Sequence, residues 1–206
     1  MVNPLRSVLA GLVAAAVLAA PSLASAGETY VVLKGGVWAP TASAGFTAAG
    51  SLPGSVVSGK FPTSGDIELA YGAALGIIGA QISAGYMWTS QSLTEPVTGE
   101  VGTAKVNGIP ITAVGQLRLP IFFIQPYLEA GIGGFVNFAS ASSPNFNQSA
   151  TKVSFMVVGG AGVDFFLGPI LLGAEARYNY ITDQTFDWGT MKLSGVTITA
   201  NVGYIF

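Results

Sequence analysis

The chain of 206 residues contains no cysteine and no histidine. Without cysteine there is no disulfide, no thiolate metal site and no lipoprotein acylation. Without histidine the commonest general base and metal ligand is missing. Charge is scarce as well, at 9% of residues against about a quarter in ordinary soluble domains. The formal net charge of −2 gives no electrostatic case for a nucleic-acid partner. Long apolar runs are also lacking: after residue 26 none approaches the ~20 residues of a membrane helix. Yet half of the residues are hydrophobic. A hydrophobic chain without spanning helices, built from short alternating segments, is what a transmembrane β-barrel predicts.

Residues 1–26 read as a cleavable secretory signal peptide. Arg6 supplies the positive start, and residues 8–20 form an apolar core too short to span a bilayer. Pro21 breaks that core, and Ala24-Ser25-Ala26 is a small-residue cleavage site. The domain expected after cleavage covers residues 27–206.

Within it, eight segments carry a period of two: 29–39, 66–77, 80–90, 108–119, 123–138, 152–165, 170–181 and 196–206. In the last, Val196, Ile198, Ala200, Val202, Tyr204 and Phe206 share one parity. Thr197, Thr199, Asn201 and Gly203 share the other, and only Ile205 breaks the pattern. Every charge inside these segments falls on the polar parity, which supports the assignment of faces. The connections alternate in length. Tight ones fall around 76–79, 119–122 and 166–169; longer ones cover 40–65, 91–107, 139–151 and 182–191. An even strand number with alternating short and long connections predicts an all-β, eight-stranded antiparallel up-and-down barrel. Its short turns and both termini would lie on the periplasmic side, and its long loops outside the cell. Residues 41–65, rich in Ala, Ser and Gly, read as a mobile loop.

In hydrocarbon the apolar parity must face outward, because a midplane Arg or Lys there costs about 2–4 kcal/mol. This puts Tyr71 among the lipid-facing residues of the second segment and makes aromatic girdles of the outward rings. Phe123, Phe165, Tyr204 and Phe206 fall near the periplasmic rim, and Tyr86, Trp88, Phe138, Tyr178 and Tyr180 toward the outer half. The inward parity then carries Lys34, Glu68, Arg118, Glu129, Asp164, Glu175 and Arg177. Eight strands enclose a space that side chains just fill, and charges there persist only when paired or hydrated. An ion-pair and hydrogen-bond network is therefore expected, with Gln81, Gln116, Tyr127, Thr199 and Asn201 as uncharged members. It reads as a plug rather than a gated pore.

Other motifs carry less. Gly131-Ile132-Gly133-Gly134 and Gly159-Gly160-Ala161-Gly162 lie inside alternating segments and open no helix, so they suit close packing rather than nucleotide binding. No sequence feature brings Glu129 and Glu175 together as an acid–base pair. Asn147-Gln148-Ser149 is a chance glycosylation sequon. Asp183 and Asp187, beside Trp188, are too few to define a cation or lipopolysaccharide site. No metal and no cofactor is expected.

The residues from Gly27 to Phe206 resemble the small eight-stranded bacterial outer-membrane β-barrel family, which includes the barrel of outer-membrane protein A and protein X. The resemblance lies in Glu28-Thr29-Tyr30-Val31-Val32-Leu33-Lys34-Gly35-Gly36, in Gln125-Pro126-Tyr127-Leu128-Glu129-Ala130-Gly131-Ile132-Gly133, and in Tyr204-Ile205-Phe206. Val202, Tyr204 and Phe206 look like the carboxy-terminal assembly signal of such barrels. The resemblance implies a monomer in the bacterial outer membrane, inserted by the barrel assembly machinery and surrounded by lipid and lipopolysaccharide. It implies a charged, mostly closed interior and a non-enzymatic role in envelope structure or surface contact through the loops. A channel for ions or small hydrophobic solutes, as in the outer-membrane protein W family, stays open beside it. Lipid A-modifying barrels of this size look histidine-dependent, which sets that chemistry aside.

Overall fold

Alternation commits each long segment to a strand with two unlike faces. In the computed structural model these strands pair into one closed sheet. The structure describes residues 27–40, 43–47, 56–60, 62–94, 101–143, 146–186 and 189–206. The expected signal peptide lies outside them.

Eight strands form the barrel: β1 (Glu28–Pro40), β4 (Ser64–Leu75), β5 (Ile78–Thr94), β6 (Val101–Arg118), β7 (Ile124–Ser143), β8 (Phe146–Leu167), β9 (Ile170–Ile181) and β12 (Gly195–Ile205). Each pairs antiparallel with its neighbours in chain order, and β12 closes on β1 along its whole length, from Tyr30↔Ile205 to Pro40↔Gly195. The pairing is staggered. From Gly36 it runs through Asp66, Met87, Gly108 and Asn137 to Lys152 of β8. The other way it runs through Thr199 and Glu175 to Gly162, ten residues further along the same strand. Such a stagger tilts the strands and sets the width of the lumen. Among the described residues no helix is long and apolar enough to cross a membrane.

The barrel has a short-turn end and a long-connection end. At the short-turn end Leu75 pairs with Ile78 around Gly76-Ile77, and Leu167 pairs with Ile170 around Gly168-Pro169. Gly76 and Gly168 have φ of 60° and 66°, the left-handed backbone that two-residue hairpins require and glycine adopts freely. The third short turn has Phe122 in that place, with φ of 57°, closed by the Ile121↔Ile124 bridge.

The long-connection end departs from expectation. The stretches assigned to loops at 91–107 and 139–151 are largely strand: β5 and β6 pair out to Thr94↔Val101, and β7 and β8 to Ser143↔Phe146. The stretches at 40–65 and 182–191 contain four short strands, β2 (Ser43–Thr47), β3 (Val56–Lys60), β10 (Gln184–Phe186) and β11 (Gly189–Met191). They make a separate four-stranded sheet in the order β10-β11-β2-β3. Residues 43–47 and 56–60, expected to be part of a mobile loop, are thus paired backbone; the remainder of 41–61 lies outside the described residues. Beyond the apolar band, Ser, Thr and Gly continue a ladder without the alternation that marks a half-buried strand. Two smaller corrections concern single residues. Phe123 belongs to a turn rather than to β7, and Tyr71, on the outward parity, is buried.

Candidate functional site

Inside the barrel the polar parity converges. Arg177, on β9, is the centre. Its Nε donates to Glu129 Oε1 at 2.7 Å and its Nη1 to Glu68 Oε2 at 3.1 Å. Its Nη2 lies 2.8 Å from Glu175 Oε1 as an ion pair, off the line of a hydrogen bond. One planar guanidinium thus meets carboxylates from β4, β7 and its own strand, a geometry that Lys could not reproduce. Lys34 on β1 donates to Glu175 Oε2 at 2.7 Å and stands 3.5 Å from Glu68 Oε1. Toward the short-turn end, Arg118 reaches Asp164 Oδ2 at 3.0 Å, Gln125 Oε1 at 2.9 Å and Gln116 Oε1 at 3.0 Å. Gln116 in turn donates to Glu129 Oε2 at 3.1 Å, which links the two halves into one network. Tyr30 donates to Gln116 and Tyr127 to Glu175, and the Arg118 guanidinium lies over both rings, at 4.7 and 5.4 Å. The contact adds cation–π attraction to the charge pairing.

All seven charged residues expected to face inward are therefore in a single buried network. Glu129 and Glu175, which nothing in the sequence connected, meet at the Arg177 guanidinium, one at Nε and the other at Nη2, as its counter-ions. Of the uncharged members, Gln116 and Tyr127 join directly, and Thr199 donates to Asn201 beside them. Gln81 is buried, but its Nε2 has no partner. Asp66 was missed. It shares the parity of Glu68, is buried, and its Oδ1 is unpartnered. With Asp66 ionised the interior would hold five carboxylates against three cations.

Glycine makes room for the inward rings. A Cβ on Gly72 would strike the Tyr30 ring, one on Gly162 the Tyr127 ring, and one on Gly108 the Phe135 ring. Gly162 belongs to a run that resembles a nucleotide loop, and its work is to let Tyr127 lie flat against the wall and reach Glu175.

The interior is not polar throughout. Above the network, toward the long-connection end, Trp38, Met87, Val106, Val114, Phe135, Ala139, Met156, Val158, Ile181 and Leu193 form one buried apolar cluster. It draws on β1, β5, β6, β7, β8 and β9 and so crosses the lumen. At this end four buried atoms have no partner: Trp38 Nε1 within the cluster, and Asn137 Oδ1, Asn179 Oδ1 and Gln184 Nε2 outside it. A smaller apolar group, Tyr30, Val32, Ala70, Ala74 and Leu171, fills the other end on the β1, β4 and β9 side. The signal was present in the sequence, since Met87, Met156 and Ile181 all fall on the inward parity. Being uncharged, they do not stand out among the polar residues of that parity.

On the outer face, Trp88, Phe138, Phe165, Tyr178, Tyr180, Tyr204, Phe123 and Phe206 are exposed, and Tyr86 is half-buried with its ring stacked on Trp88. Asp183 lies at the long-connection end, paired with Lys192 at 3.4 Å; Asp187 and Trp188 lie outside the described residues. Among the described residues no group of three or more His, Cys, Asp or Glu side chains is placed to hold a metal.

The model of the outer membrane protein β-barrel domain matches residues 10–206. Among solved structures, the chain is similar to neisserial surface protein A, at 17% identity, TM-score 0.54, covering 87% of this chain and 99% of that one. It is similar to the outer membrane protein OprG of Pseudomonas aeruginosa, at 14% identity, TM-score 0.59, covering 88% and 96%. It is also similar to the outer membrane protein W of Escherichia coli, at 21% identity, TM-score 0.51, covering 89% and 100%. No curated protein sequence matches the chain.

Proposed function

The chain belongs to the outer membrane protein β-barrel family, and we propose that it is a monomeric, non-enzymatic integral protein of the bacterial outer membrane whose filled interior blocks flow and whose outer end makes surface contacts. Export by cleavage after Ala26 and insertion by the barrel assembly machinery, reading Val202, Tyr204 and Phe206, belong to the same reading. The short-turn end is then periplasmic, and the sheet β10-β11-β2-β3 and the tops of β5–β8 face outward among lipopolysaccharide.

One observation carries this reading. The lumen contains two successive layers, the Arg177-centred network and the Trp38–Phe135–Met156 cluster, and each reaches across the barrel. Ions that pass the first must break paired charges, and at the second they would have to enter an apolar zone without hydration. In planar bilayers the purified protein is expected to give no sustained conductance. A stable open channel with the conductance of a water-filled pore would overturn the reading.

A second reading, a conduit for small hydrophobic solutes, draws on the same apolar layer, whose lining would favour such a solute over an ion. Protein-dependent uptake of a hydrophobic solute into liposomes, without ion current, would favour it over the first.

A further inference from the structure

The three short turns carry no charged or hydrogen-bonding side chain. They read Leu75-Gly76-Ile77-Ile78, Leu119-Pro120-Ile121-Phe122-Phe123 and Leu167-Gly168-Pro169-Ile170. Turns that face water are built mostly from Asn, Asp, Ser and Gly, whose side chains support the turn or tolerate its backbone. Here the tips are apolar and exposed, Ile78 at 66% and Phe122 at 97%.

Phe122 is the telling residue. It occupies the left-handed position that glycine fills in the other two turns. A bulky residue is a true outlier there, where glycine would be unstrained. The ring is not retained for the turn itself. It is not retained for packing either, since its contact is an edge with the neighbouring exposed Phe123 at 5.7 Å. An exposed ring held in a disfavoured backbone points to something outside the protein.

The distribution says what that is. In the order around the barrel, the three turns cap β4–β5, β6–β7 and β8–β9, and the remaining pair, β1–β12, ends beside Tyr204 and Phe206 in edge contact at 5.3 Å. The apolar points thus recur at every strand pair and form a ring, continuous with the exposed apolar outer face. The apolar points lie on no one side of the barrel, as a laterally docked protein would have them. A flat lipid surface meets all four points alike.

We propose that this ring is a lipid-binding collar. The short turns rest within the headgroup–acyl boundary of the inner leaflet of the outer membrane instead of projecting into water, and the Phe122 ring is inserted there as an anchor that fixes the depth of the barrel. Aromatic and aliphatic side chains are stabilised in that zone, whereas the same ring of side chains would be costly against water. The inference rests on the membrane-spanning reading above and adds where that span ends.

The lack of cysteine makes the test direct. Single-cysteine variants Phe122→Cys, Ile77→Cys, Leu128→Cys and Asp183→Cys of the full chain are spin-labelled and reconstituted in phospholipid bilayers. Collision with dissolved oxygen is compared with collision with a water-soluble nickel chelate. Labels at 122 and 77 are expected to collide with the chelate several-fold less than the label at 183, with oxygen-to-nickel ratios between those at 128 and 183. Labels at 122 and 77 that match 183 would place the turns in water and overturn the collar. Labels shielded from both reagents would point to a covering protein or second copy and overturn it equally. A label at 128 as accessible to the chelate as that at 183 would instead refute the membrane-spanning reading.

Discussion

At the scale of single residues, Arg177 is the group whose loss leaves most behind. Removing it leaves the buried Glu129 carboxylate without its cation and leaves Glu68 and Glu175 to share Lys34. Breaking a buried pair from one side costs about 3–5 kcal/mol, so Arg177→Met is expected to lower the free energy of unfolding, measured by urea titration in bilayers, by an amount in that range. Restoring balance with Glu129→Gln in the same chain should recover part of the loss. Gly162 offers a test without charge. A Cβ there meets the Tyr127 ring, so Gly162→Val must tilt the ring and pull its hydroxyl from Glu175. Overpacking of this kind costs about 1–3 kcal/mol. The same unfolding measurement, with Tyr127→Phe as the reference for loss of the hydroxyl alone, checks it. If Gly162→Val proves no worse than Tyr127→Phe, ring clearance is not the role of Gly162.

At the scale of the strand, the two faces of β8 should respond differently to polarity. Val157 points outward and is exposed, whereas Ser154 points inward and is buried. Val157→Arg is expected to cost about 2–4 kcal/mol if it lies near the bilayer midplane, and Ser154→Gln much less. The fraction of protein with heat-modifiable gel mobility reads the difference, and equal tolerance would mean that the faces are reversed. The faces are the part of this fold most legible in the sequence, because side-chain alternation is a local property. Each strand could be assigned from its own residues, and the inward set from Lys34 to Arg177 followed. The lengths of β5 to β8 were hidden, since Thr and Ser above an apolar band carry no contrast between faces. The sheet of β2, β3, β10 and β11 was hidden for a related reason: strands of three to five residues rich in Gly and Thr are too short to show a period. The meeting of Glu129 with Glu175 through Arg177 depends on the stagger of the whole barrel, which no local pattern states.

At the scale of the whole molecule, the seam between β1 and β12 matters most. The Phe206 backbone N–H donates to Thr29 O at 2.8 Å and so extends the seam past the last strand residue. Deletion of Phe206 removes this bond together with one ring of the collar. The expected outcome is reduced insertion, with protein left in the periplasm, measured by surface accessibility in cells and by heat-modifiable mobility. Unchanged values would count against a role for Phe206 in assembly. The interior network also joins residues far apart in the chain. Lys34 and Glu175 are separated by 141 residues, and Glu68 and Arg177 by 109. When the early strands emerge, Lys34 and Glu68 have each other but not the partners that complete the network. Loop-closure entropy must be spent before any of those later contacts can form. A chain in which β9 has not yet paired leaves Lys34 and Glu68 without Glu175 and Arg177, so charge balance in the interior is a property of the closed barrel rather than of any part of it.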